Sequence, residues 1–300
     1  MKDLIEEIKK LKKERKAVIL VHNYQPPEIQ DIADFLGDSL ELSRIASKTE
    51  AKVIVFCGVH FMAETASILC PDKKVLMPDI DSGCPMADMI TAEGLRELKS
   101  RYPEATVVGY VNTPAEVKAE IDICCTSANA VSVISKLNTK EIIFAPDKYL
   151  ADYVSKKTGK RLIIWEGFCP IHVKILASDV TKQTRLHPQA KIIVHPECIS
   201  EVISLADAVL STSQMCRYVA EEKDDEFIVG TEVGLLYKLQ KDNPNKKFYA
   251  VTDLAVCLDM KKITCEKILR SLEELKDEVR VPEKIRIKAK KAIDKMLEIL

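Results

Sequence analysis

The sequence predicts an α/β protein built from three homologous αβα sandwich domains, each around a parallel sheet, set about a pseudo-threefold axis. Three observations predict it. Short apolar runs such as VILV, VIVF, VVGYV, EIIF, LIIW and KIIV alternate with helical patterns, as parallel strands buried on both faces do. Three stretches close alike, with a β-rich run, a short loop and a cysteine: KVLMPDIDSGCPM at Cys84, RLIIWEGFCPIH at Cys169 and KFYAVTDLAVCLDM at Cys257. Their spacings, 169 − 84 = 85 and 257 − 169 = 88, mark one position in a unit repeated three times.

The elements follow in order. Residues 2–15 carry Leu4, Ile5, Ile8 and Leu11 at helical spacing, and equivalent helices are expected at 86–101 and 173–187, ahead of the second and third units. The next apolar run ends in polar residues each time: AVILVHNY on His22, Asn23 and Tyr24, TVVGYVN on Tyr110 and Asn112, KIIVHPE on His195 and Glu197. From His22 to Tyr110 is 88 residues and from Tyr110 to His195 is 85. A hydroxyl-bearing turn then opens a helix, in GDSLELSRIA with Ser39, CTSANAVSVI with Ser127 and LSTSQMCRYV with Ser211 and Thr212. A buried strand, a turn and an amphipathic helix come next in AKVIVFCGVHFMAE, KEIIFAPDKYLADY and EFIVGTEVGLLYKL, and the cysteine stretch closes each unit. The expected domains are residues 1–84 with the helices of about 265–300, residues 85–170 and residues 171–264. The charged, helical tail should pack back on the first unit and close the ring.

Composition narrows the function. Hydrophobic residues are 47% and charged residues 30% with a formal net charge of −1, which argues against disorder and against a polyanion-binding surface. Nucleic acid and anionic membrane are therefore not expected partners. No apolar run approaches the ~20 residues that span a bilayer, and the charged start MKDLIEEIKKLKKERK is unlike a signal peptide, so a cytoplasmic protein is expected. In a reducing compartment ten cysteines point to metal binding, catalysis or packing rather than disulfides. The nine glycines form neither G-x-G-x-x-G nor a Walker motif, so a dinucleotide or ATP cofactor has no support.

Ligands of open α/β units sit at the carboxyl ends of the strands, where the polar residues and the cysteines fall. Three such edges on a common axis make one pocket, with three thiolates at the start of a metal or iron–sulfur site. A hydroxyl at a helix N-cap, with exposed N–H groups and the positive end of the helix dipole, suits carboxylate or phosphate; singly, each is as well explained as an ordinary cap. Cys57, Cys70, Cys124, Cys125, Cys198, Cys216 and Cys265 have no threefold counterpart and are read as packing thiols, His60 and His187 as structural or solvated, and Trp165 as core.

HNYQ at 22–25, GDSLEL at 37–42, YVN at 110–112, TSANA at 126–130, CPIH at 169–172, HPE at 195–197, STSQM at 211–215 and the three loop cysteines closely resemble the quinolinate synthase family across essentially the whole chain. The family often has glycine where Ser213 stands and histidine where Phe168 stands. The resemblance implies a [4Fe-4S] cluster held by Cys84, Cys169 and Cys257, and condensation of iminoaspartate with dihydroxyacetone phosphate to quinolinate, phosphate and water. Three thiolates on four irons leave one iron open as a Lewis acid for dehydration. Acid–base work falls to Glu197, Tyr24, His195 and His22. Substrate contacts fall to His22, Ser39, Tyr110, Asn112, Ser127, His172, His195, Glu197, Ser211 and Thr212. An oxidase or dehydrogenase supplying iminoaspartate is the implied functional partner. The rival readings are another three-cysteine enzyme, of diphthamide-synthase or isoprenoid-reductase type, and a non-catalytic iron–sulfur or zinc sensor.

Overall fold

The computed structural model describes residues 2–299. One element order, αβαβαβαβ, occurs three times. The first unit holds α1 (Lys2–Glu14), β1 (Ala17–His22), α2 (Pro27–Gln30), β2 (Phe35–Gly37), α3 (Ser39–Lys48), β3 (Val53–Cys57), α4 (His60–Leu69) and β4 (Lys74–Leu76). The second holds α5 (Ala92–Arg101), β5 (Thr106–Tyr110), α6 (Ala115–Lys118), β6 (Ile123–Cys125), α7 (Ala130–Lys136), β7 (Ile142–Ala145), α8 (Lys148–Thr158) and β8 (Ile163–Ile164). The third holds α9 (Ala177–Leu186), β9 (Lys191–Val194), α10 (Ser200–Ile203), β10 (Ala208–Val209), α11 (Thr212–Glu221), β11 (Glu226–Gly230), α12 (Leu235–Asp242) and β12 (Lys247–Ala250). Helices α13 (Cys265–Glu274) and α14 (Glu283–Glu298) follow.

Each unit has one four-stranded parallel sheet, ordered β2-β1-β3-β4, β6-β5-β7-β8 and β10-β9-β11-β12. The central pairs are buried beyond their first one or two residues, as at Ile19 beside Val55, which is why these strands read as continuous apolar runs rather than alternating ones. Two charged devices recur with the units. Asp34, Asp122 and Asp207 each accept, at 2.8 Å, the N–H of a residue fifteen positions earlier on the first strand, namely Ile19, Val107 and Ile192. Lys73, Lys160 and Lys246 each send an ammonium to the last carbonyls of α3, α7 and α11, the electronegative ends of those helices.

The tail serves two units. Helix α13 packs on α1 and β3, whereas α14 lies across α4 of the first unit and α6 and β6 of the second. Its buried Ala289, Ala292, Ile293 and Met296 join the core shared by those units, and the Met296 carbonyl accepts from Asn129 at 3.3 Å. The tail was expected to pack back on the first unit; α14 lies on the second as well.

Candidate active site and metal centre

The carboxyl ends of the central strands open on one cavity. His22, Tyr110 and His195 border it at or just after the ends of β1, β5 and β9, and Tyr24, Asn112 and Glu197 border it two residues further on. Ser39, Ser127 and Thr212 form a third set of equivalent positions on its wall, and Cys84, Cys169 and Cys257 a fourth.

The hydroxyls lie off the capping positions, Ser39 and Thr212 one residue after the N-cap and Ser127 two residues before it. Asp38, not Ser39, caps α3, accepting the N–H groups of Leu40 and Glu41 at 3.0 Å. Ser211 caps α11 in a capping box with Gln214 and donates to Asp38 Oδ2 at 3.0 Å, so it is spent on structure and does not border the cavity. Thr212 is the true counterpart of Ser39, and both are first residues of their helices. Ser127 sits in the turn before α7 with its Oγ 3.2 Å from His195 Nε2. Neighbouring side chains cap α3 and α11, α7 has no side-chain cap, and Thr212 Oγ1 accepts from Asn23 Nδ2 at 2.9 Å; all three hydroxyl residues border the cavity. Ser213, where the family often has glycine, bonds the Asp38 N–H at 3.1 Å and reaches Glu41, tying the third unit to the first.

A hydrogen-bonded chain crosses the floor of the cavity. Tyr110 donates to Glu197 Oε1, and Glu197 Oε2 lies 2.8 Å from His172 Nδ1. His172 Nε2 is 3.0 Å from Thr231 Oγ1, which is 2.6 Å from the Tyr24 hydroxyl. The His172 ring stacks on His195 with centroids 4.6 Å apart. Residues of all three units thus share one proton network. Asn112 Oδ1 is buried there without a partner, an acceptor aimed at a donor that a ligand would bring.

Burial and charge set the protonation of this network. Burial raises the Glu197 carboxyl, but His172, His195 and the hydrogen bonds from His172 and Tyr110 outweigh it and hold it at about 2. Burial, aided by Lys261, holds His22 at about 3 although Glu197 opposes it; burial also holds His195 at about 3. Burial and then Glu197 push Tyr24 well above its ordinary value, and they push Tyr110 the same way. The site therefore sets the Glu197 carboxylate beside neutral His22 and His195 and the protonated phenols of Tyr24 and Tyr110.

The cysteine loops share one geometry. Each thiol faces the N–H groups two and three residues on: Met86 and Ala87 for Cys84, Ile171 and His172 for Cys169, Asp259 and Met260 for Cys257. Two loops are flanked by acids that sequence reading passed over. Asp147, wholly buried, accepts the Leu150 N–H at 2.7 Å beside the Cys169 loop, and Glu232 accepts the Cys257 N–H at 3.1 Å. They stand at one repeat position, 232 − 147 = 85, where the first unit has Val59, 147 − 59 = 88. Thr231 was also missed, and spacing was its only signal. Burial raises all three thiols, that of Cys84 to about 12, so they exist as thiolates only when a metal holds them.

The donor set fits a cluster better than a single ion. One tetrahedral ion at about 2.3 Å from each sulfur would place the sulfurs roughly 3.8 Å apart. The three loop sulfurs do not all lie within 4.8 Å of one another; the set that does, among the described residues, is Cys169, His172 and Glu197. The remaining cysteines pack as expected, Cys70 Sγ against the Ala46 carbonyl at 3.0 Å and Cys57, Cys124, Cys125 and Cys198 in the core. Trp165 packs with the core and donates to the Met89 carbonyl at 3.0 Å, and His187 stacks on Tyr249 at 3.4 Å.

Comparison with known proteins agrees with the geometry. The family described as Quinolinate synthetase A protein (NadA) matches residues 6–298. A quinolinate synthase of Dehalococcoides mccartyi strain CBDB1 is 56% identical over 293 residues, covering 98% of this chain and 97% of its own. That of Methanosarcina barkeri strain Fusaro is 55% identical over 297 residues, covering 99% and 98%. That of Methanoregula boonei is 51% identical over 296 residues, again covering 99% and 98%. Identity above one half along nearly the full length of each chain leaves one assignment: this chain belongs to the quinolinate synthetase A family.

Proposed function

We propose that the chain condenses iminoaspartate with dihydroxyacetone phosphate to quinolinate, phosphate and water, in the cytoplasm, with a [4Fe-4S] cluster on Cys84, Cys169 and Cys257. The observation that carries this is the convergence of four threefold-related sets, one of them cysteine, on one cavity. Cys84, Cys169 and Cys257 would hold the cluster, which with one iron free of thiolate would supply Lewis acidity for dehydration.

The chain's own groups do the rest. Ser39 and Thr212, at the N-termini of α3 and α11, and Ser127 bind carboxylate and phosphate oxygens through hydroxyls and backbone N–H groups. Asn112 Oδ1 accepts from the substrate amine or hydroxyl. Glu197, ionised and buried, takes a proton from substrate carbon or nitrogen and passes it through His172 and Thr231 toward Tyr24. His22 and His195, neutral at the working pH, orient the ligand rather than attract it by charge. Iminoaspartate itself comes from an amino-acid oxidase or dehydrogenase.

Anaerobic reconstitution tests the assignment. The parent chain should bind about four irons and four sulfides, and serine at Cys84, Cys169 or Cys257 should abolish both, whereas Cys216→Ser should not. Full cluster content in any one of the three variants would refute the ligand set.

A further inference from the structure

Cys169, His172 and Glu197 form a constellation that the cluster does not explain. We propose that, in the cluster-free chain, these three residues hold a single zinc-class divalent ion, and that this form excludes the cluster because Cys169 is common to both. The donor atoms converge: His172 Nδ1 is 3.2 Å from Cys169 Sγ and 2.8 Å from Glu197 Oε2, and all three lie within 4.8 Å of one another. An ion about 2.0–2.3 Å from each donor needs donor spacings of roughly 3.3–3.8 Å, so the imidazole and carboxylate part by less than about 1 Å to admit it. Thiolate, imidazole and carboxylate together select zinc-class ions over magnesium or calcium, and the two anionic donors balance the charge of a divalent ion.

The surroundings are those of metal ligands. Such ligands are held by an outer layer of hydrogen bonds, and His172 and Glu197 each have one. His172 Nε2 meets Thr231 Oγ1 at 3.0 Å; when that nitrogen carries the proton, Nδ1 presents its lone pair to the metal position. Glu197 Oε1 accepts from Tyr110, which leaves Oε2 free. The Cys169 sulfur faces the N–H groups of Ile171 and His172, which favour its thiolate form. His172 and Glu197 are buried, so bulk water does not compete for them, and the fourth coordination position opens on the cavity that all three residues border. In the metal-free chain the bond between His172 and Glu197 fills the place the ion would take. The zinc site stands without any functional assignment; the exclusion of the cluster rests on the ligand set proposed above.

The test uses the full chain, stripped of metal under anaerobic conditions and titrated with zinc against an indicator dye. One zinc per chain is expected. His172→Ala and Glu197→Ala should weaken it by about 100-fold or more and Thr231→Val by about tenfold, since loss of even an outer partner costs 10–100-fold. Cys84→Ser and Cys257→Ser should bind as the parent does. Cobalt substituted into the unmutated chain should show one thiolate ligand in its charge-transfer absorption, a readout that needs no variant to fold. Absence of stoichiometric zinc, three thiolates on cobalt, or loss of zinc on mutating Cys84 or Cys257 would each overturn the site. Zinc-loaded chain should take up iron and sulfide only after chelation. Equal uptake with and without zinc would overturn the exclusion, while a metal-free control that takes up no cluster would instead count against the cluster assignment.

Discussion

Lys118 is the largest fully buried side chain among the described residues, and replacing it with methionine tests how the seam beneath the Cys84 loop is held. Its ammonium donates to the Thr113 carbonyl and lies 5.4 Å from the centre of the Phe61 ring. Burial lowers its pKa and Glu64 is the strongest charge raising it again; Glu64 in turn accepts the Ala115 N–H at 3.0 Å and has His60 3.9 Å away. Lys118→Met keeps the stem and recovers the desolvation cost of the charge. It also strands the Thr113 carbonyl, at about 1–3 kcal/mol, and removes an attraction on Glu64 worth about 4 kcal/mol at 4 Å and about 2 kcal/mol at 8 Å for an effective dielectric of 20. The expected net loss is about 2–4 kcal/mol, or roughly 3–6 °C in Tm for a chain of this size.

The pH dependence has a definite sign. Burial already raises the Glu64 carboxyl above its ordinary value against the pull of Lys118, and without that pull it rises further. A carboxyl raised in the folded state contributes stability that is complete below its unfolded pKa and lost as pH climbs through the folded one. The deficit of Lys118→Met should therefore shrink at pH 5 and widen at pH 8 in thermal unfolding followed by circular dichroism. Adding Glu64→Gln should restore at least half of it. A Tm within about 1 °C of the parent, or a deficit that grows on acidification, would refute the reasoning.

Two further variants address proton transfer and packing. Glu197→Gln and Tyr24→Phe keep size and remove the carboxylate and the terminal phenol of the hydrogen-bonded chain, so quinolinate formation should fall about 100-fold or more with iron content unchanged; normal turnover in either would remove that residue from the acid–base chemistry. A Cβ on Gly109 would come within 2.0 Å of Ile121 Cδ1, so Gly109→Ala should cost about 1–3 kcal/mol, and Ile121→Val, which deletes that atom, should recover part of it in the double variant.

What was legible in the sequence was whatever the three units share in residue type. The cysteines repeat outright, and the polar ends of the first strands repeat in character, so the fold and most of the cavity wall followed from spacing. The hydroxyls were legible to within one residue: Ser211 and Thr212 are adjacent and chemically alike, and only the start of α11 decides which caps and which faces the cavity. Asp147, Glu232 and Thr231 were hidden because their first-unit counterparts are Val59 and Gly58, so a search by residue type finds no repeat there. The Asp34 and Lys73 series repeat perfectly in type but are six charged residues among 91 (45 + 46), and their role depends on backbone partners that no sequence displays.

The divergence within the symmetric frame follows from electrostatics. At positions 24, 112 and 197 the three units place Tyr, Asn and Glu on one cavity wall. Three carboxylates there would repel one another across a site that excludes bulk water, and at least two would take up protons and lose their value as bases. A single carboxylate, flanked by His172 and His195 and bonded by Tyr110, keeps its charge despite burial, as its low pKa shows. The cysteines face the opposite requirement. A cluster bound by three thiolates needs the same donor, in the same loop geometry, from every unit, and the repeated pair of N–H groups meets each sulfur. Under the proposed ligand set, one set of positions is identical because a shared cluster would require it, while its neighbours on the same wall differ because identical charges could not coexist there.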